Sequence, residues 1–391
     1  MKRLCISLLC LLFCVAPASF ARAEQPGKLS REALESVRSL NLHLPSEFPD
    51  TPDIYQQAEP VVPPQVIAPW PTIDWSVSTP EEQGMKSGLL NAAFLYAVRN
   101  DSKAVVVIRN GYIVGEWYAE GWNETTRQSG FSMAKSFSSA LVGMLIDDGY
   151  ITSVDQPVAD YVSEWDDFRH GKVTVRNLLS MNSGLYWDAV SDTVILATRY
   201  DQSAFAVGLP IEASPGRTWV YNNSAVQVIS ELILQAAGMP AEDYARERLW
   251  NKIGMWNATW LKDKAGNTLT YQSVIASARE FAKFGYLYLR GGMWDGEQIV
   301  PAEWVAESTR FSQLLNPVYG YLWWLNTAGL WWPNVPADAF AASGLNEKKI
   351  YVVPSLDIVA VRLGSAQPTW DDNAFLGLIC ASVEQQPILE E

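Results

Sequence analysis

Apolar residues run along two stretches of this chain as strand pairs and along several others at helical spacing. Val105, Val106, Val107 and Ile108 read as one strand and Tyr112 to Tyr118 as its partner. Asn110-Gly111 between them supplies a tight turn, because both residues tolerate positive φ. Residues 349–363 read as a second hairpin: Ile350 to Val353, a turn at Pro354-Ser355-Leu356-Asp357, then Ile358 to Leu363. Met133, Phe137, Ala140, Leu141, Met144 and Leu145 recur on one helical face. So do Ala225, Ile229, Leu232, Ile233 and Ala236, ahead of a C-cap at Gly238. Arg279 to Gly291 and Asp371 to Val383 predict two more helices. Strands near both ends with helices between predict one antiparallel sheet made from distant segments. That is an α+β or mixed α/β organisation, with a mostly helical inserted region at about 146–278 covering one end of the sheet.

The first 75 residues read differently from this body. Lys2 and Arg3 precede an apolar run from Leu4 to Val15, and a small-residue stretch ends in Ala21-Arg22-Ala23. This is the pattern of a signal peptide over residues 1–23, with the mature start near Glu24. The apolar run is too short for a spanning helix of about 20 residues. Residues 24–75 form a proline-rich arm, with Pro60, Pro63, Pro64, Pro69 and Pro71 and one short amphipathic helix expected at Ser30–Ser39. The main domain is expected over residues 76–385. A periplasmic or secreted location follows from the leader.

Charge and cysteine usage narrow the classes. Losing Lys2, Arg3 and Arg22 with the leader takes the formal charge from −14 to −17. So acidic a surface argues against nucleic acid and anionic membranes as partners, and no stable membrane insertion is expected. Cys5, Cys10 and Cys14 lie in the leader, so Cys380 alone remains and no intramolecular disulfide can form. It sits among Phe375, Leu376, Leu378 and Ile379 and reads as a buried structural thiol. The two histidines are His43 in the arm and His170 in a charged turn, which reads as a surface position. A Ser-His-Asp arrangement therefore lacks its base. No zinc set is available either, and neither a metal nor an organic cofactor is expected.

Ser132-Met133-Ala134-Lys135 opens the first long helix. Residues i and i+3 share a helix face, so Lys135 Nζ can approach Ser132 Oγ. The Ser132 backbone N–H at a helix start can face an oxyanion. A lysine among apolar neighbours loses proton affinity and can serve as a base. On its own this spacing is common and fits a serine N-cap with an exposed lysine equally well. Tyr221-Asn222-Asn223 strengthens it, following Pro215-Gly216 and preceding the second amphipathic helix. A loop tyrosine with a lowered pKa can carry a proton to a leaving group. The asparagine can hold a substrate carbonyl or the lysine.

With these motifs in order, the chain resembles the penicillin-recognising serine hydrolase superfamily. It is most similar to the class C β-lactamase-like branch with family VIII esterases and 6-aminohexanoate-dimer hydrolases. The resemblance rests on Gly130-Phe131-Ser132-Met133-Ala134-Lys135-Ser136, on Val173 to Leu185, on Pro215-Gly216 leading to Tyr221-Asn222-Asn223, and on Gly320-Tyr321-Leu322-Trp323-Trp324. It covers roughly residues 75–385 and implies a β-lactamase/transpeptidase-like fold. It implies Ser132 as acylated nucleophile, Lys135 as activating base, Tyr221 as general acid/base and Asn223 as the asparagine closing the second motif. The third motif falls at Ala342-Ser343-Gly344-Leu345, which places a second oxyanion donor at the Leu345 N–H, beside that of Ser132. Ser343 and Gly344 are then substrate-binding residues too.

The third motif also departs from the family. Ala342 stands where β-lactamases and penicillin-binding proteins usually carry a Lys or His that holds a substrate carboxylate. Asn346-Glu347-Lys348 replaces the Gly-Gln of the hydrolase branch, and Lys348 or Lys349 reads as a solvated strand-edge charge. Trp323, Trp324, Trp331 and Trp332, with Tyr186 and Trp187, can wall an apolar acyl pocket, Trp324 and Tyr186 being the named substrate contacts. Tyr186 matches a loop position that faces substrate in the amide-cleaving branch. The resulting expectation is a hydrolase of a small or short oligomeric ester or linear amide. Two alternatives stand beside it: a β-lactamase or D-alanyl-D-alanine carboxypeptidase, and an inert relative that binds cell-wall peptides.

Overall fold

A computed structural model describes residues 69–384 of the chain. The expected leader, the helix at Ser30–Ser39, His43 and most of the arm lie outside the described residues. The described elements include eleven strands: β1 (Ser102–Arg109), β2 (Tyr112–Tyr118), β3 (Arg127–Ser129), β4 (Thr259–Trp260), β5 (Val274–Ser277), β6 (Met293–Trp294), β7 (Glu297–Gln298), β8 (Trp324–Leu325), β9 (Phe340–Gly344), β10 (Lys348–Val353) and β11 (Ile358–Gly364). Five helices matter most: α1 (Ser87–Arg99), α2 (Ala134–Asp147), α3 (Asn223–Ala237), α4 (Ala278–Leu289) and α5 (Asp372–Ala381).

Both expected hairpins form, and they join into one antiparallel sheet of order β2-β1-β11-β10-β9-β8. Asn110 and Gly111 take φ of 52° and 85° at the first turn, as a two-residue hairpin requires. Val106 lies opposite Val361 across the seam between the chain's early and late segments. Sheet alternation then sorts the side chains. Val106, Ile108, Ile350, Val352, Val359 and Val361 pack with α2, α3 and α4 in the larger core. Val105, Val107, Tyr351, Val353 and Ala360 pack with α1 and α5 in the smaller one. The Val105–Ile108 run is apolar throughout because both faces of its strand are covered. Cys380 is buried in the smaller core, and burial pushes its thiol up to about 12.

A second sheet, β3-β5-β4, lies beside the start of α2. Its strands of two to four residues carry too few positions for a period-2 pattern. It delivers the chain directly to Ser132: Gly130 donates to the Val274 carbonyl at 2.8 Å, and the Ser273 N–H donates to the Phe131 carbonyl at 2.9 Å. Residues 69–75 are part of the packed body, with Trp70 against Tyr286 and Trp294, and Trp75 Nε1 donating to the Arg279 carbonyl.

Candidate active site

Ser132 sits in a single 3₁₀ turn, Phe131–Met133, that runs directly into α2. Phe131 holds φ of 48°, a left-handed conformation that is uncommon for an aromatic residue. That turn brings the half-buried Ser132 side chain over Lys135. Lys135 is 1% exposed, and its Nζ donates to three oxygens: Ser132 Oγ at 3.0 Å, Asn223 Oδ1 at 2.7 Å and the Tyr271 carbonyl at 2.8 Å. All three partners are uncharged. Burial therefore dominates and brings the ammonium down to about 7, opposed by the negative charge of Asp192.

Asp192 was not singled out by any motif, and it organises the second wall. It is 3% exposed. Its carboxylate accepts the Asn223 N–H at 2.9 Å and the Ser224 N–H at 2.8 Å, capping the start of α3. The Ser224 hydroxyl adds a third bond at 3.0 Å. Burial raises the Asp192 pKa, while these bonds and Lys135 resist. The arrangement suits a carboxylate at a helix N-terminus. It fixes Asn223, whose side-chain oxygen faces Lys135 while its Nδ2 donates to the Asp192 carbonyl. Asn223 Oδ1 is thus in contact with the lysine, one of the two contacts considered for it.

Tyr221 lies with its ring centroid 4.7 Å from Lys135 Nζ, and the Ser132 hydroxyl acts on its phenol. Its pKa is not lowered, as the loop position suggested, but raised, because burial disfavours the phenolate. Trp324 stacks on the Tyr221 ring at 5.9 Å, and the exposed Trp331 lies 5.2 Å beyond Trp324. Trp323 and Trp332 do not join this wall. Both are buried, Trp323 against Phe284, Tyr288 and Phe340 and Trp332 against Tyr351. Tyr186 points its hydroxyl to Asp188 at 2.6 Å, and its carbonyl accepts from Asn222. Trp187 lines a cavity of about 220 Å³ with Leu185, Glu212, Val220 and Asn222, and Tyr221 is not part of its lining.

The third-motif segment closes the other side. Gly344 ends β9 so close to the Phe131–Met133 turn that an added Cβ would lie 2.0 Å from the Gly130 carbonyl oxygen. Glycine is required there by approach, not by φ. Ala342 is fully buried opposite Ile350 and offers no charge. Lys348 and Lys349 are not solvated at a strand edge; they are 2% and 5% exposed. Lys348 Nζ donates to the Ser129 carbonyl at 2.9 Å and lies 4.5 Å from the Phe131 ring centroid; burial brings it down to about 7. Lys349 turns to the opposite face and pairs with Glu347 and Asp372. His170 is also half-buried rather than a surface residue, its ring bridging Asp167 and the Leu209 carbonyl beside Trp165.

The β-lactamase family model matches residues 94–376, well over half of the chain. The chain belongs to the β-lactamase family. It lies within the penicillin-recognising serine hydrolases, and its antiparallel sheet with flanking helices is the architecture of that superfamily. A 6-aminohexanoate-dimer hydrolase from Paenarthrobacter ureafaciens is 25% identical over 300 residues, covering 69% of this chain and 73% of that one. Two solved structures share the fold. A family VIII carboxylesterase superposes with a TM-score of 0.62 at 18% identity, covering 78% of this chain and 98% of the other. A penicillin-binding protein homologue from Caulobacter crescentus does so with 0.60 at 14%, covering 78% and 98%. Among the described residues no group of His, Cys, Asp and Glu could hold a metal ion. No described helix is long and apolar enough to cross a membrane.

Proposed function

We propose that this β-lactamase-family protein hydrolyses a small ester or linear amide through an acyl-enzyme on Ser132. The observation that carries the reading is Lys135: a buried amine 3.0 Å from Ser132 Oγ, bonded to neutral oxygens, with its pKa near 7. Burial weakens its hold on a proton, so the neutral amine is accessible near neutral pH and can take the Ser132 proton as Oγ attacks the substrate carbonyl. The oxyanion that forms is met by the N–H groups of Ser132 and Leu345. Tyr221 keeps its proton across the working range because burial raises its pKa. It donates that proton to the leaving oxygen or nitrogen and is resupplied from the Lys135 ammonium. In deacylation water attacks the acyl carbon, its proton passes through Tyr221 to neutral Lys135, and the acid leaves as Ser132 regains a proton.

Substrate class follows from what lies around Ser132. Ala342 removes the cation that would hold a β-lactam or peptidoglycan carboxylate, which favours uncharged acyl groups. The Tyr221-Trp324-Trp331 stack offers apolar area for such a group. The names of two similar proteins, a 6-aminohexanoate-dimer hydrolase and a family VIII carboxylesterase, agree with this class. The leader read at residues 1–23 assigns the enzyme to the periplasm or the exterior.

The mature protein is expected to turn over short p-nitrophenyl esters and to be labelled at Ser132 by a fluorophosphonate probe. Absence of both would sink the proposal. Rapid nitrocefin turnover that disappears in Ser132→Ala would replace it with the β-lactamase reading.

A further inference from the structure

Three non-glycine residues beside the two oxyanion donors hold left-handed backbone. Phe131, directly before Ser132, has φ of 48°; Asn346 and Glu347, directly after Leu345, have 65° and 56°. Such conformations persist only where the surroundings over-determine them, and they concentrate at functional sites. Two buried basic side chains hold these segments. Lys348 Nζ donates to the Ser129 carbonyl at 2.9 Å and lies over the Phe131 ring, gripping the approach to Ser132. Arg362, fully buried on β11, donates from Nη1 to the Asn346 carbonyl at 2.7 Å and the Glu347 carbonyl at 3.0 Å. Its other nitrogens are anchored on the Ser102 hydroxyl and the carbonyls of Asn100 and Ser365. Between the two grips, Gly344 is pressed against Gly130.

We propose that Lys348 and Arg362 are positioning residues that together set the spacing between the Ser132 and Leu345 N–H groups and so hold the oxyanion hole open at working geometry. The proposal rests on the acyl-transfer reading above. Asn346-Glu347-Lys348 replaces the Gly-Gln of the hydrolase branch, so the two left-handed positions here are held by non-glycine residues. In this chain the strained turn is bound to the strands instead of being relieved by glycine. The hydrogen bond from Lys348 to Ser129 survives in either protonation state of the amine, whereas the contact over the Phe131 ring is strongest when it is charged.

Lys348→Met, Lys348→Arg and Arg362→Lys test it. In Lys348→Met, kcat on p-nitrophenyl acetate is expected to fall roughly 10- to 100-fold, part of the loss seen when an oxyanion donor is removed outright, with KM within about two-fold. Affinity for phenylboronic acid, whose tetrahedral adduct presents an oxyanion, falls in proportion, and Lys348→Arg restores most of both. Arg362→Lys keeps the charge but loses the planar fork, so the same two readouts fall. Wild-type kcat and boronate affinity in Lys348→Met overturn the proposal, as does a loss of kcat matched by an equal rise in KM. Should the Met variant not fold, Lys348→Gln carries the comparison with the same expectations, scaled to the donor it keeps. If the wild type itself shows neither ester turnover nor probe labelling, the acyl-transfer reading fails, and hydrogen exchange decides positioning alone. Faster exchange across residues 129–132 and 344–347 in the Lys348 variant than in wild type supports it; unchanged exchange overturns it.

Discussion

Lys135 and Lys349 are buried to nearly the same degree on opposite faces of the central sheet, and they titrate in opposite directions. Lys135 meets a hydroxyl, an amide oxygen and a peptide carbonyl, and its pKa falls to about 7. Lys349 meets Glu347 Oε2 at 2.6 Å and Asp372 Oδ2 at 2.9 Å, and its pKa rises. Desolvation acts on both; the contacting charge decides the sign. The site does hold a carboxylate, Asp192, but its oxygens are taken by the N–H groups that start α3. That diverts it from a direct ion pair with Lys135. An amine that loses its proton near neutral pH thus requires both burial and the withholding of a counter-ion, and of these two lysines Lys135 alone has both.

The comparison breaks most sharply under deletion of the amines. Lys135→Met is expected to lower kcat at pH 7 by about 10³-fold or more, since it removes the group that takes the serine proton, and Ser132→Ala to abolish acylation altogether. Burst kinetics with a p-nitrophenyl ester read both. Lys349→Met acts on folding instead. It leaves Asp372 buried without its cation, which costs about 3–5 kcal/mol, a large share of the roughly 5–15 kcal/mol stability of a folded domain. Urea unfolding measures this. A Lys349→Met protein as stable as wild type would mean that the ion pair behind the sheet contributes nothing.

How far this contrast could be read from the chain itself depends on distance along it. Ser132 and Lys135 are one helical turn apart, so their meeting follows from helix geometry. The two hairpins carry their turn residues at Asn110-Gly111 and Pro354 to Asp357, so their pairing was equally visible. Asp192 and Tyr271 lie 60 and 139 residues from Ser132 in the sequence and reach the site only through tertiary packing. No local spacing marks either. The rise in the Tyr221 pKa and the burial of Lys348 and Lys349 were hidden for a related reason. Each depends on what covers the side chain, and adjacent lysines on a strand look alike until the sheet assigns them to opposite faces. The small sheet that delivers Ser132 was invisible because its strands are too short to show a period.

Protonation linkage sharpens the comparison with a smaller effect. The folded pKa of Lys135, about 7, lies below its ordinary 10.5. Between these values the unfolded chain binds a proton that the folded protein has shed, so this group makes stability rise with pH; below 7 its full desolvation cost is present. Lys349 has the opposite sign: its raised pKa adds stability at neutral pH that is lost as pH climbs through the folded value. The Tm of wild type relative to Lys135→Met is therefore expected to improve from about pH 6 to about pH 9. A difference that stays flat across that window would show that Lys135 keeps an ordinary pKa. In kinetics, if Lys135 takes the serine proton as proposed, an acid limb in kcat/KM is expected near pH 7, and Asp192→Asn is expected to move it downward because the charge opposing deprotonation is gone.

The smallest effect belongs to Trp331, and it separates what the site binds from what it does. Trp331 is 41% exposed and touches the chemistry only through Trp324, which stacks on Tyr221. Its neighbour Trp332 turns into the smaller core, so the two adjacent tryptophans have different surroundings. Trp331→Ala removes apolar area at the rim without touching Ser132, Lys135 or the oxyanion donors. It should raise KM a few-fold for esters with long or aromatic acyl groups, less for acetate, and leave kcat unchanged. This is the pattern for loss of binding shared equally by ground and transition states. An equal effect on acetate and on an aromatic acyl ester would remove the Tyr221-Trp324-Trp331 stack from the acyl pocket. A fall in kcat would mean that the outer tryptophan holds Tyr221 in place, extending the catalytic geometry of the site face outward to the surface.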